Sequence, residues 1–270
     1  MAPASPPLLF STGAFFGRPL DEGLRRAAEA GYASIEVMVT KDPDSQDPAR
    51  IASLAAAYGL SIGAVHAPCL VVTRRVWGRD PVGKVLRAVE MARRLGVPVV
   101  ITHSPYRWQR GYHRWLLEDL PNIEERSGTT VAVENMFPLR MGSKVALRFH
   151  AEDQIRGPEG RAHLTLDTSH AAVAGDDPRE SARRAGSRLR HIHLSDNAGK
   201  GWDSHLPPGR GILDLDGLLR DLVAGDYRGA ITLEVDLRRQ REQDPAGTHA
   251  LMVQMREWVE SRLNEDPTHG

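Results

Sequence analysis

Nine side chains able to bind a metal or move a proton recur along this chain of 270 residues: His66, His103, Glu134, Asp167, His170, His193, Asp203, His205 and Glu234. Each follows, or lies just beyond, a short apolar run: SIGAVHAP, PVVITHSP, TVAVENM, HLTLDTSH, LRHIHLSD and GAITLEV. Five imidazoles and four carboxylates make a nitrogen–oxygen donor set suited to Zn, Mn, Fe or Co. Glu134, Asp167, His193 and Glu234 each come directly after a different apolar run. A single carboxylate in that place is usually solvated or paired with a loop amide. Four such groups without a cation would be costly to bury, so these four are expected to surround one ion. His66 and His103 close two earlier runs, before HAP and HSP, where they would bind substrate, hold a second metal or simply cap a strand. His170 follows Asp167 by three residues, on what reads as a turn leaving the strand, and Asp203 and His205 lie in a long loop; all three are further candidates. His113, His150, His163, His191 and His249 read as helix or strand-start positions and carry no assigned role.

Residues so far apart in sequence converge only if the elements beneath them share one end. The pattern is strand then helix, eight times, as expected of βαβ units. Strands are expected at Leu8–Ser11, Ala33–Val39, Ser61–His66, Val97–His103, Thr129–Glu134, His163–Asp167, Arg190–Leu194 and Ala230–Val235. Asp-Pro pairs at 47–48, 80–81 and 177–178 read as a helix cap followed by a first-turn proline. Helices are expected near Leu20–Ala30, from Pro48 to about Gly59, from Pro81 to Leu95, near Tyr112–Arg126, over 143–156, from Pro178, over Leu215–Ala224 and over Pro245–Leu263, with a frayed tail. The strands read as continuous apolar runs, as parallel strands under helices should. Periodicity alone leaves a doubly wound sheet open. Eight units in one chain, with donors at the ends of strands three to eight, favour a single closed (β/α)8 TIM barrel over residues 1–270, because a parallel barrel gathers every strand's C-terminal end at one mouth.

Hydrophobic residues at 41% and charged residues at 26% are ordinary for a globular domain. The formal net charge is zero, which weighs against a protein built to coat nucleic acid. The start, MAPASPPLLF, has neither a basic stretch nor a long apolar core, so no signal peptide is read. No run reaches membrane-spanning length. The single cysteine, Cys69, fits a reducing compartment, and a cytoplasmic location is expected.

Several motifs together resemble the xylose-isomerase-like TIM barrels, which include sugar-phosphate isomerases and epimerases and the endonuclease-IV type apurinic-site nucleases. They are GYASIEV at 31–37, VHAP at 65–68, VENM at 133–136, LDTSH at 166–170, HIHLSDN at 191–197, DSHLPPGRG at 203–211 and LEV at 233–235. The resemblance to the epimerases implies one divalent metal on Glu134, Asp167, His193 and Glu234, acting as a Lewis acid. It also implies that Glu134 and Glu234 exchange protons with the carbon beside a carbonyl. The resemblance to the nucleases implies all nine residues holding three zinc ions. HLPPGRG is closer to the isomerase loop, and LDTSH lacks the cysteine of the matching nuclease motif. Against this, the expected mouth loops are basic, with Arg74, Arg75, Arg79, Arg107, Arg110, Arg140, Lys144, Lys200, Arg210, Arg238 and Arg239. Phe15, Phe16, Trp77, Tyr106, Trp108 and Trp202 are interleaved with them, as phosphate neutralisation and base stacking would use. The leading expectation is a metal-dependent isomerase or epimerase of a small sugar, phosphosugar or inositol-like substrate. Its cofactor would be one divalent ion (Mn, Zn, Co or Mg), with up to three open. His66, His103, His170, Lys200 and Arg210 would contact substrate. The alternative is a zinc-dependent endonuclease acting on abasic DNA, the only reading in which DNA is a partner. A barrel that binds metal or ligand without turnover is a third.

Overall fold

The computed structural model describes residues 5–68, 73, 75–141, 144–150, 162–238 and 244–264. Eight parallel strands close a barrel in chain order: β1 Leu8–Ser11, β2 Ser34–Met38, β3 Ser61–His66, β4 Val99–His103, β5 Thr130–Glu134, β8 His163–Asp167, β9 Leu189–Leu194 and β10 Ala230–Leu233, which pairs back to β1. An antiparallel hairpin, β6 Leu139–Met141 and β7 Lys144–Leu147, is inserted after β5. The helix expected over 143–156 is therefore a strand across Lys144–Leu147, and 151–156 lie outside the described residues. The β-branched Val145 in KVAL favours an extended chain. Arg74, Arg239, Cys69 and the last six residues also lie outside the described residues.

The helices begin where side chains satisfy their free amides. Asp47 accepts from Ala49 N at 2.9 Å, and Asp80 from Gly83 N at 2.9 Å, each before a proline that has no amide to lose. Gly96 closes the helix Pro81–Leu95 in the left-handed conformation, φ +67°. Two helices, Arg110–Glu118 and Leu120–Ser127, replace the single one expected near Tyr112–Arg126. Pro121 cannot donate into the preceding turn, so the chain restarts there. A helix the sequence did not announce, Thr168–Ala174, begins directly after β8, with the Asp167 carboxylate accepting from His170 N at 2.7 Å.

The strands alternate faces instead of being apolar throughout. Ile35, Val37, Val65, Val100, Val131, Val133, Leu164, Leu166, Ile192, Leu194, Ile231 and Leu233 pack outward under the helices. The other face fills the barrel. Leu9, Ala64, Ile101 and Ala230 form a separate apolar cluster there. Two residues further along three of those strands stand Ser11, His66 and His103, so the interior turns polar towards the mouth. A register shift between Ile35 and Glu36 leaves Gly63 as the extra residue of β3. A Cβ at Gly63 would lie 2.5 Å from Leu9 Cδ2, so a larger residue in this bulge would have to displace the Leu9 side chain; the bulge sets His66 beside Met38. Register also pairs His103 with Glu134 and Asp167 with His193 on neighbouring strands.

Candidate metal and catalytic centre

All nine expected residues meet in one place. The innermost group is Glu134, Asp167, His193 and Glu234, whose donor atoms lie within 4.8 Å of one another. His193 Nδ1 is 2.8 Å from Glu234 Oε2, 3.4 Å from Glu134 Oε1 and 3.9 Å from Asp167 Oδ2. On one side His66 Nε2 and His103 Nε2 approach Glu134 Oε2 at 3.1 and 3.3 Å. On the other, Asp203 Oδ2 lies between His205 Nε2 at 2.8 Å and His170 Nε2 at 3.3 Å, and His205 Nε2 is 3.9 Å from Asp167 Oδ2. Glu134 is thus common to the inner group and the His66–His103 side, and Asp167 to the inner group and the His170–His205 side.

Each of four histidines is held by one ring nitrogen and presents the other to the centre. His66 Nδ1 donates to Ala67 O at 2.9 Å, His170 Nδ1 to Asn135 O at 2.8 Å and His205 Nδ1 to Glu234 O at 2.9 Å. Their Nε2 atoms face the carboxylates. His193 is turned the other way: Nε2 donates to Glu36 Oε2 at 3.0 Å, and Nδ1 faces the carboxylates. Anchoring one nitrogen fixes the tautomer and leaves the other free as a donor.

The residues fit a divalent cation on an observation independent of their types. Asp167 Oδ2 and His193 Nδ1 are buried without a hydrogen-bond partner, and Glu234 Oε2, though close to Nδ1, is not aligned for one. Asp167 Oδ1 is already used by the His170 amide. Two buried atoms with lone pairs and no partner, 3.9 Å apart and beside two further carboxylates, are what a cation would satisfy.

Electrostatics point the same way. Burial alone would raise Glu134, but the charges on His193 and His103 hold it well below the usual carboxylate range. Glu234 is lowered against its burial by His193. Burial pushes Asp167 up to about 6, with His170 and His205 opposing. The imidazoles mirror this: burial would lower His193, yet Glu234, Glu36 and Glu134 raise it well above its ordinary value. His205, against burial, is pushed up to about 10 by Asp203 and Asp167.

A cavity of about 260 Å³ opens over the centre, lined by His103, Glu134, His170, Asp203, His205 and Glu234 together with Gly13, Phe16, Met38 and Arg238. Lys200 and Arg210 are exposed and do not line it, so the structure does not bring these two expected substrate contacts to the site. Lys200 Nζ lies over the Trp202 ring instead, 5.8 Å from its centroid. Arg238 is the cation at the cavity wall, with its guanidinium on Asp236 at 2.7 Å. Of the basic loop residues, Arg75, Arg79, Arg107 and Arg110 are solvent-exposed, and Phe15 is a core side chain.

Sequence reasoning missed three supporting residues. Glu36, on β2, anchors His193 and also accepts from His191 Nε2 at 2.9 Å. The signal was present, because SIEVM sets one acid between two outward apolar residues, and LRHIHL puts His191 and His193 on one face. Asn135 clamps β8, accepting from Asp167 N at 2.7 Å and donating to Asp167 O at 3.0 Å. Asp196 pins the loop that carries Asp203 and His205: Oδ1 accepts from Asn197 N and Leu213 N, and Oδ2 from Gly209 N and Gly211 N, all within 2.8–3.1 Å.

A model of the xylose isomerase-like TIM barrel family matches residues 24–260. The chain is 36% identical over 267 residues to an uncharacterised protein of Mycobacterium leprae (strain TN), covering 89% of this chain and 94% of that one. It is 23% identical over 242 residues to fructoselysine 3-epimerase of Shigella flexneri, covering 80% and 85%. The solved structure of D-psicose 3-epimerase with D-tagatose from Clostridium cellulolyticum H10 superposes with a TM-score of 0.70 at 14% identity, over 95% of this chain and 99% of that one, a likeness of fold. The chain belongs to the xylose isomerase-like TIM barrel family.

Proposed function

We propose that this protein is a divalent-metal-dependent isomerase or epimerase that moves a proton next to the carbonyl of a small sugar, phosphosugar or inositol-like substrate. The observation that carries this reading is the pair Glu134 and Glu234, two carboxylates flanking His193 Nδ1 and lining one small cavity. Glu134, Asp167, His193 and Glu234 would hold the metal, whose contribution when bound is Lewis-acid polarisation of the carbonyl. The two glutamates come from different strands, Glu134 ending β5 and Glu234 directly following β10. One carboxylate takes the C–H proton, and the other returns a proton to the same carbon or its neighbour. Glu234 is the more accessible, its side chain 15% exposed against 2% for Glu134, so it is assigned the first abstraction. His103 and His170 line the cavity, where their ring nitrogens can orient hydroxyl groups. Arg238 can meet an anionic group at the rim. The relatives named as sugar epimerases support the same chemistry.

The test is exchange of substrate-carbon hydrogen in heavy water over a panel of ketoses, phosphoketoses and inosose-type ketones. Wild type with Mn²⁺ or Co²⁺ should exchange at one carbon. Glu234→Gln should abolish exchange and retain part of the metal. No exchange on any substrate, with robust cleavage of an abasic oligonucleotide, would sink the isomerase reading.

One observation favours that second reading, a multinuclear zinc phosphodiesterase. Seven of the nine donors fall into three overlapping groups that share Glu134, His193 and Asp167, with His103 and Asp203 adjoining them. Metal content separates the readings: one tightly held ion per chain supports the epimerase, and three zinc ions support the nuclease.

A further inference from the structure

We infer that Glu36 is the positioning residue of the centre, holding His193 so that Nδ1 is always the nitrogen offered to the metal. The inference rests on the metal reading above and goes beyond it, because Glu36 lies on β2 and does not line the cavity.

Glu36, His191 and His193 are fully buried in the barrel interior. Glu36 Oε2 receives His193 Nε2 at 3.0 Å and His191 Nε2 at 2.9 Å, while Ser11 Oγ donates to Oε1 at 3.2 Å. Thr232 Oγ1 lies 2.8 Å from the same His191 nitrogen. These distances are hydrogen bonds, so Glu36 ties both imidazoles together through their Nε2 atoms. A network whose only purpose was to fill the interior would be an expensive filler, since well-packed apolar residues of similar volume often do as well or better. Of its two imidazoles, each with an unpartnered Nδ1, only His193 turns that nitrogen toward Glu134, Asp167 and Glu234. His66, His170 and His205 are anchored by backbone carbonyls, and His193 alone among these four by a carboxylate. A carboxylate acceptor fixes the ring more firmly and makes the far nitrogen a stronger donor. His193 belongs to the group that holds both proposed catalytic glutamates, so its orientation sets where the ion sits between them.

The experiment compares Glu36→Gln with wild type in the full chain. Zn²⁺ and Co²⁺ affinity is read by competition with a chromophoric chelator, and the metal-free fold by circular dichroism and melting. The expected result is a tightest-site affinity weakened by about ten- to hundred-fold, with the metal-free fold retained. Equal affinity in the two proteins overturns the inference and leaves the metal reading standing. No metal binding by wild type overturns both. A variant that fails to fold is replaced by a measurement on wild type, the imidazole nitrogen spectrum of the cadmium-loaded, nitrogen-labelled protein. His193 should show cadmium coupling at Nδ1 and a slowly exchanging proton on Nε2. Coupling at Nε2, or a freely exchanging Nε2 proton, overturns the inference.

Discussion

His205 concentrates the residue-scale physics of the centre. It is one of the few non-glycine residues described with positive φ, at +38°, a conformation that costs a side chain roughly 1–3 kcal/mol. What holds it there is local: Nδ1 on Glu234 O, its own carbonyl accepting from Asp236 N at 2.9 Å, and Nε2 on Asp203. Burial would lower its pKa, but Asp203 and Asp167 push it up to about 10. A histidine raised in the folded state stabilises fully below its unfolded value near 6.5, and that stability is lost as pH rises through the folded value. Asp167, pushed up to about 6 by burial, works in the same direction at lower pH. The metal-free protein should therefore lose melting temperature between pH 6.5 and 10. Metal affinity should rise across the same window, because the ion and the proton compete for the imidazoles. Melting of chelator-treated protein at pH 6.5 and 9 checks the first half, and chelator competition at the same values checks the second. His205→Asn should flatten the metal-free slope; an unchanged slope would mean that the imidazolium is elsewhere.

At the scale of elements, the long loop after β9 that carries Asp203 and His205 is organised by one carboxylate. Asp196 accepts from four backbone amides and is buried, and Gly211 approaches it so closely that a Cβ would lie 2.3 Å from Asn197 O. Removing the carboxylate orphans those amides, at about 1–3 kcal/mol for each that water does not reach. Asp196→Ala should destabilise the fold by roughly 2–4 kcal/mol. It should also speed hydrogen exchange at Gly209, Gly211 and Leu213 and weaken outer-site metal binding more than inner. Uniform slowing or no change at those amides would refute this anchoring. The loop also shows where the sequence was legible. The ends of β3, β8 and the helix Pro81–Leu95 could be placed to the residue, because histidine, aspartate and Asp-Pro punctuation mark them locally. The nine donors were legible because a chain-ordered barrel needs no knowledge of which strand neighbours which. Glu36 was not. It meets His191 and His193 only across the barrel interior, 155 and 157 residues away, on strands that are not sheet neighbours. The helix Thr168–Ala174 was hidden for another reason. Its cap, Asp167, was read as a ligand, and the structure uses one oxygen for the cap and leaves the other without a hydrogen-bond partner.

For the whole molecule, the barrel has two kinds of glue. Outside, the large apolar cluster binds strands to helices and needs no ion. Inside, the upper layer is carboxylates and imidazoles contributed by β3, β4, β5, β8, β9 and the segments that follow β8, β9 and β10, and it is balanced only by protons or by metal. Metal should therefore act on stability and not on folding itself. A ligand present at about a thousand times its dissociation constant stabilises by about 4 kcal/mol. In a chain of this size that is a rise of roughly 7 °C in melting temperature. Chelation should lower the melting temperature by that order while leaving the secondary structure intact below the transition. The shift should grow with the logarithm of free metal, as mass action requires. Glu134 separates this from a nonspecific effect, because it is shared between the inner group and the His66–His103 side. Glu134→Ala should abolish the metal-dependent shift, whereas His170→Ala, which leaves the inner four intact, should keep most of it. A full shift in Glu134→Ala would place the stabilising ion outside this centre and remove the structural basis for both catalytic readings.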